Sequence, residues 1–388
     1  MQIADRLKDI QPSATLALTA KAKLLKKEGK EVINFAAGEP DFDTPQIIKD
    51  AAIKAIQEGF TKYTPESGTP ELKEAISRKF KKDNNLDYAA EQVIVSCGAK
   101  HSIYNTLQAI INPKDEVIII SPYWLSYPAM VNLAGGKPII LTSLQSQDFK
   151  INFEKLEKLI TKKTKAIIIN SPSNPTGVVY SKAELEKIAA IAVTHDLNVI
   201  SDEIYEKLIY GAEKHFSIAS LGNEIYNRTI TVNGVSKTYS MTGWRIGYLG
   251  APKEIAKKIA TLQGHSTSNP TSISQKGALA ALNIPDSDLK PFIDEFASRR
   301  DILVEKLQEI PKLSVFKPRG AFYTFVDISK LKLTPADFAA RLLDDCFVAV
   351  IPAESFGSKT HVRLSFATSK KDILEGVNRI KGWIEKNT

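Results

Sequence analysis

The sequence predicts an α/β domain built on a parallel or mixed sheet between helices, followed by a smaller α+β domain. Short runs rich in β-branched residues recur without polar alternation, as in VIII at 117–120 and AIII at 166–169. Strands of that composition are buried on both faces, which is the habit of parallel sheets covered by helices. These runs alternate with amphipathic helical stretches, the signature of crossover connections between parallel strands. The pattern then changes after about residue 285, and 388 residues suit two domains.

In chain order, strands are expected at 92–96, 116–121, 166–170, 198–202, 229–232 and 246–250. Helices are expected at 100–111, 182–195 and 252–262, and a basic, acid-interleaved helical stretch at 70–83. Ser181 with Glu184 three residues later forms a capping box that opens the second of these helices. A long helix over 286–310 carries Pro291 as its candidate kink. Residues 320–327 follow, then a helix opening at Thr334-Pro335, strands near 347–351 and 361–366, and a last helix from Ser369. The first 45 residues hold no complete βαβ unit and are expected to pack on the second domain. The expected division is therefore a large domain over 46–285 and a small one made of 1–45 and 286–388.

Composition narrows the function. Apolar residues make up 43% and charged residues 25%, as in ordinary globular proteins, which excludes a disordered or fibrous chain. The net charge of +8 comes from lysines scattered among acids rather than from a basic tract, so no nucleic-acid partner is expected. Two cysteines, Cys97 and Cys346, form no CxxC pair and fit a reducing cytoplasm. The first residues lack the apolar core of a signal peptide. The longest uncharged run, 117–136, is broken by Pro122, Pro128, Asn132 and Gly135-Gly136, and reads as a strand, loop and helix rather than a membrane span. No GxGxxG opens a helix, and neither GxxxxGK[ST] nor HExxH occurs, so Rossmann, P-loop and zincin chemistry find no support. The five histidines do not cluster at metal-ligand spacing, and no metal is expected.

What remains is a set of groups at predicted strand ends. Lys237 follows a strand in a segment poor in other charges, where desolvation would lower its pKa and make it a candidate Schiff-base former. Arg245 lies eight positions on. Alone the pair could be two surface cations. The strand NVISD ends in Asp202 and continues to Tyr205, and ligands of open α/β sheets bind at carboxyl ends of strands. The strand 166–170 ends in a rigid loop presenting Asn174. Gly98, Ala99 and Lys100 lie between a strand and a helix whose N-terminus is an anion site. A phosphorylated pyridine aldehyde requires this combination of lysine, carboxylate, phenol, amide, arginine and helix N-terminus.

Nine segments, in order and nearly end to end, resemble class I/II aminotransferases that use pyridoxal 5'-phosphate. They are PSAT, NFAAGEPDFDTP, KYTPESGTPELKEA, SPYWLSYP, NSPSNPTG, SDEIYE, SKTYSMTGWRIGY, PRGAFY and HVRLSFATS. The chain is similar to the bacterial aspartate aminotransferases of subgroup I-beta. The resemblance implies the fold type I architecture and a homodimer with shared active sites. It implies that Lys237 binds the cofactor and shuttles the substrate proton, that Asp202 faces the pyridine nitrogen, and that Tyr205 and Asn174 hold the ring 3'-oxygen. Arg245, with Gly98, Ala99 and Ser236, would take the phosphate, Trp124 would stack on the ring, and Tyr63 would reach the phosphate of the neighbouring subunit. Arg363, Gly38 and Asn174 would hold the substrate α-carboxylate. Lys100 would read the distal carboxylate, since no arginine stands at 264–270, where the animal-type subgroup has one.

Two departures stand out. Gly234 occupies a place where many relatives have a serine or threonine, and Gln11 stands where prephenate-accepting members tend to have lysine. The expected reaction is transamination between aspartate and 2-oxoglutarate, with prephenate as a further candidate. An aromatic aminotransferase or a carbon–sulfur β-lyase on the same fold is the alternative, which a distal cation disfavours. A non-catalytic pyridoxal-phosphate-binding regulator would carry an added helix-turn-helix domain, for which this chain has no segment to spare.

Overall fold

The computed structural model describes residues 3–8, 10 and 14–387. In chain order the strands are β1 (Ile33–Asn34), β2 (Val93–Ser96), β3 (Glu116–Ser121), β4 (Lys137–Thr142), β5 (Thr164–Asn170), β6 (Asn198–Asp202), β7 (Thr229–Gly234), β8 (Gly247–Gly250), β9 (Ser314–Val315), β10 (Tyr323–Asp327), β11 (Val348–Ala349), β12 (Ile351–Pro352) and β13 (His361–Ser365). A seven-stranded sheet has the order β2-β8-β7-β6-β5-β3-β4. Pairs from β7 through β4 are parallel, whereas β8 is antiparallel to both β7 and β2. The sheet is thus mixed and mostly parallel.

The β-branched runs behave as their composition requires. Within β3, Val117 and Ile119 belong to one apolar cluster, and Ile118 and Ile120 to another. Residues one apart on a strand face opposite sides, so both faces of this strand are buried in apolar surroundings. In β5, Ala166 and Ile168 likewise separate from Ile167 and Ile169. Burying each such side chain contributes about 1.5–3 kcal/mol. The capping box is present: Ser181 Oγ accepts Glu184 N–H at 3.3 Å, and Glu184 Oε2 accepts Ser181 N–H at 2.9 Å.

A four-stranded antiparallel sheet, β12-β13-β10-β9, forms from the C-terminal part. The helix Asp286–Gln308 runs through Pro291. The segment after the N-terminal helix crosses to this part, with β1 pairing in parallel with β11 and Phe35 O accepting Ser365 N–H at 2.8 Å. Sequence patterning did not anticipate β4. It is an edge strand opening Lys137-Pro138, most of its residues are not buried, and a proline there removes no ladder bond from a second neighbour. The helices Ala14–Lys27, Gln46–Gln57 and Ser272–Leu282 also went unread. Among the described residues, no helix is long and apolar enough to cross a membrane.

Behind the end of β6 sits a buried charge cluster that histidine spacing did not foreshadow. The ligand-type atoms of Glu203, Glu206 and His215 lie within 4.8 Å of one another. Lys79 pairs with Glu206, Asn84 Nδ2 donates to Glu206 at 2.7 Å and to Glu203 at 3.2 Å, and His215 Nε2 meets Glu203 Oε2 at 2.9 Å. The hydroxyls of Ser201 and Ser217 both donate to Glu203 Oε1 at 2.8 Å. Lys79 is shared with Asp83 at 3.7 Å, and His215 is the other group placed to set positive charge beside the two buried glutamates. Burial pushes the His215 imidazole down, but the Glu203 carboxylate, with Glu206 beside it, outweighs this and holds it above its ordinary value, against an opposing push from Lys79. A group whose pKa is raised by folding stabilises the fold at low pH and loses that contribution as pH rises through the folded value. Each unit of elevation corresponds to about 1.4 kcal/mol. Thermal melts at increasing pH above about 6.5 should therefore show a stability loss that His215→Gln removes; parallel slopes for the two proteins would refute this assignment.

Candidate active site

The topology brings one edge of the large sheet together. Strands β2, β3, β5, β6 and β7 all end there, and antiparallel β8 begins there, because Ser96 and Gly234 both pair with Gly247. The loops leaving these ends line a cavity of about 400 Å³. Its walls include Gly38, Ala99, Lys100, Trp124, Asn174, Asp202, Tyr205, Ser236, Lys237, Arg245 and Arg363. The sequence places these residues up to 325 positions apart, from Gly38 to Arg363.

Asp202 is the last residue of β6 and is buried. Its Oδ2 accepts the Tyr127 hydroxyl at 2.7 Å and its Oδ1 the Ile204 N–H at 3.2 Å. Burial raises its pKa to about 6, against the lowering effect of these two bonds. Lys237, three residues past β7, is held by Gly38 O, to which its Nζ donates at 2.6 Å. Burial of the amine pushes its pKa down to about 8; Glu39 opposes this, Arg363 and Arg245 add to it, and Asp202 opposes it. A lysine and a carboxylate with values moved toward neutrality in one cavity are what proton-transfer chemistry needs.

Two guanidinium groups enter from different elements. Arg363, in β13, donates Nη1 to Asn174 Oδ1 at 3.1 Å and Nη2 to Ala36 O at 3.2 Å. Its Cζ lies 4.2 Å from the centre of the Tyr323 ring and 5.1 Å from that of Phe356, and its buried Nε has no protein acceptor. A buried, stacked cation with an unused donor is suited to a carboxylate. Arg245 is exposed and takes a left-handed backbone, φ 56°; its Nη1 donates to Thr242 O at 2.7 Å and its Nη2 to Cys97 O at 3.2 Å. A Cβ on Gly98, at φ 91°, would collide with this guanidinium, so the glycine is what lets the cation lie against the start of the helix Ala99–Ile110. The Gly98 N–H itself turns back to Ser96 O at 2.7 Å, and Gly98 is not among the cavity-lining residues.

Lys100 reaches over the Trp124 indole, its Nζ 4.9 Å from the ring. Burial lowers its pKa, and Arg245 lowers it further. Tyr205 shares a 2.9 Å hydrogen bond with Tyr323, and burial, then Tyr323, holds its phenol well above the ordinary value. Tyr63 is elsewhere: it is 89% exposed and lines a separate cavity with residues 61–62, 267–269 and 271–273. Gln11 lies outside the described residues. Sequence reading missed Tyr127, Tyr323 and Asn170, all of which line the cavity. Tyr127 lies three residues after Trp124, in the first turn of the helix Ser126–Leu133. Tyr323 faces Arg363 only through the β10–β13 register. Asn170 acts within the loop, donating to Asp202 O at 2.9 Å and accepting Asn174 N–H at 2.8 Å.

Two lysines, a carboxylate, three phenols and two guanidiniums around a cavity of this size fit pyridoxal phosphate and an amino acid substrate. Comparison with known proteins agrees. The aspartate aminotransferase of Bacillus subtilis is 49% identical over 393 residues, covering 100% of both chains. A probable aspartate/prephenate aminotransferase of Aquifex aeolicus is 46% identical over 391 residues, covering 99% of each. Among solved structures, the aspartate aminotransferase of Rhizobium meliloti superposes with a TM-score of 0.96 at 42% identity over 100% of both chains. That of Thermus thermophilus with maleate gives 0.94 at 42% identity, over 98% of this chain and 99% of that one. The family described as aminotransferase class I and II matches residues 30–380, and with those relatives it establishes that this chain belongs to the class I and II aminotransferases, enzymes of the transaminase class.

Proposed function

We propose that this enzyme transfers an amino group reversibly between L-aspartate and 2-oxoglutarate, giving oxaloacetate and L-glutamate, with pyridoxal 5'-phosphate as cofactor. The observation that carries this reading is the meeting of Lys237, Asp202 and Arg363 in one cavity with the Lys100 ammonium at the Trp124 indole. Bound there, pyridoxal phosphate supplies an electron-withdrawing ring that stabilises negative charge at the substrate Cα. Asp202, ionised above about pH 6, would hold a proton on the ring nitrogen. Lys237, with a pKa near 8, would be the group that holds and moves the proton at the substrate Cα. Tyr205 and Asn174 would hold the ring 3'-oxygen. Arg245, Ser236 and the start of the helix Ala99–Ile110 would hold the phosphate, and Trp124 would cover the ring. Arg363 grips the α-carboxylate, assisted by Asn174 and the Gly38 backbone.

Lys100 favours dicarboxylates over aromatic substrates, since its cation answers a second carboxylate. Prephenate stands as an additional acceptor, supported by the name of the Aquifex aeolicus relative. The chain divides into a large part, 46–285, holding the seven-stranded sheet, and a small part, 1–45 with 286–388, holding the four-stranded one. It works in the cytoplasm as a homodimer. Exposed Tyr63 and the exposed Ile47, Ile53 and Ile56 on the helix Gln46–Gln57 support a contact between copies. In that dimer Tyr63 reaches the partner's phosphate.

Lys237→Ala should abolish turnover while phosphate contacts retain some cofactor. Borohydride reduction of the native enzyme followed by peptide mapping should place the pyridoxyl group on Lys237, and an adduct on another lysine would displace the assignment. Lys100→Ala removes a charge-assisted bond of about 1.5–3 kcal/mol. The ratio of kcat/KM for aspartate over phenylalanine should then fall about tenfold or more at full cofactor occupancy; an equal decline for both substrates would show that another residue reads the distal carboxylate. Tyr63→Phe should weaken cofactor binding. Mixing it with Lys237→Ala and exchanging subunits should restore activity in hybrids, an outcome that a site built from one chain would not give.

A further inference from the structure

Tyr127 has no part in the chemistry above, yet its hydroxyl makes the shortest hydrogen bond to Asp202, 2.7 Å to Oδ2. The other carboxylate oxygen takes only a backbone donor, Ile204 N–H at 3.2 Å, from its own turn. The phenol comes from a separate element, the helix Ser126–Leu133 beyond β3. It is firmly placed there. Only 2% of Tyr127 is exposed, its N–H donates to Trp124 O at 3.0 Å, and the Trp124 ring meets its own edge-on at 5.3 Å. Asp202, at 4% exposure, has little water to replace that donor.

We infer that Tyr127 is a positioning residue for the reaction: its hydroxyl aims the Asp202 carboxylate and favours its ionised form, so that a proton stays on the cofactor ring nitrogen. The inference rests on the assignment of Asp202 as the ring partner. The exchange is one-directional. Burial, then the Asp202 charge, holds the Tyr127 phenol well above its ordinary pKa, so it is a donor throughout the working range. A donor stabilises a carboxylate more than a carboxylic acid, because the bond to the ion is charge-assisted. The groups acting on Asp202 are the Tyr127 hydroxyl, the Ile204 N–H, the Glu203 charge and the Lys237 charge. Burial and Glu203 favour the acid, while the phenol, the backbone donor and Lys237 favour the ion, the phenol most strongly.

The test compares wild-type holoenzyme with Tyr127→Phe by two readouts. One is the pH profile of kcat with aspartate. The other is the isotope-edited infrared band of the protonated Asp202 carboxyl, identified by its loss in Asp202→Asn, which reports protonation whether or not the enzyme turns over. Loss of the hydroxyl should move the acid limb and the band midpoint upward together by about one pH unit or more. KM for aspartate should change by less than about twofold. Fluorotyrosine at position 127 keeps the ring and strengthens the donor, so it should move both midpoints downward, and it serves also if the phenylalanine variant does not accumulate. Unmoved midpoints, or a uniform fall in kcat across pH without a shift, would overturn the inference and reduce Tyr127 to a packing role. Should Asp202→Asn keep full turnover, the ring-partner reading falls, while the infrared midpoints still decide whether Tyr127 controls Asp202.

Discussion

Antiparallel β8, set between β2 and β7, is the constraint on which the site depends. Every other strand of the large sheet that contributes to the cavity delivers its residue from a carboxyl end. A reversed strand is the one device that delivers a residue to the same edge from an amino end, and Arg245 arrives that way. The approach is tight. A Cβ on Gly247 would run into the backbone of Gly98 and Ala99, and one on Gly234 would sit 3.0 Å from Gly247 Cα. Glycine at 234 therefore has a packing reason, independent of any hydroxyl that relatives place there. The same closeness brings the Arg245 guanidinium against Gly98, with no side chain between the cation and the helix start.

Electrostatics follow from that geometry. Removal from water disfavours charge on both Lys237 and Asp202, so their pKa values approach each other, toward neutrality. Neither is left alone with that cost. Asp202 has two donors, and Lys237 has the Gly38 carbonyl. Immediately behind, Glu203 faces the opposite side of the same turn and is tied by Ser201, Ser217, His215 and Asn84. Consecutive acids thus take opposite duties, one at the end of β6 toward the cavity and one just past it, anchoring the turn that presents it.

Much of this was legible along the chain. Strands β3, β5 and β6 announced themselves because two-sided burial demands unbroken apolar residues, and Asp202 stood out because an acid closing such a run needs a purpose. Glu203 and Glu206 did not, since the acids of SDEIYE look alike until Lys79, Asn84 and His215 come to meet them from distant segments. Edge strand β4, with Lys137, Pro138 and exposed positions, carries no such pattern because one side of it has no partner.

The sequence by itself determined the buried strands, most of the helices between them, the identity of the chemical groups and the strand ends from which they project, since periodicity, capping and burial preference are local properties. It also carried the family resemblance through ordered segments. Tertiary structure alone decided which groups meet. The β10–β13 register set Tyr323 beside Arg363, the helix after β3 aimed Tyr127 at Asp202, and the fold of 33–38 back onto the C-terminal sheet supplied Gly38 to Lys237 and Ala36 to Arg363. Such contacts join residues as many as 327 positions apart. Their geometry depends on sheet order and packing, which no local pattern encodes.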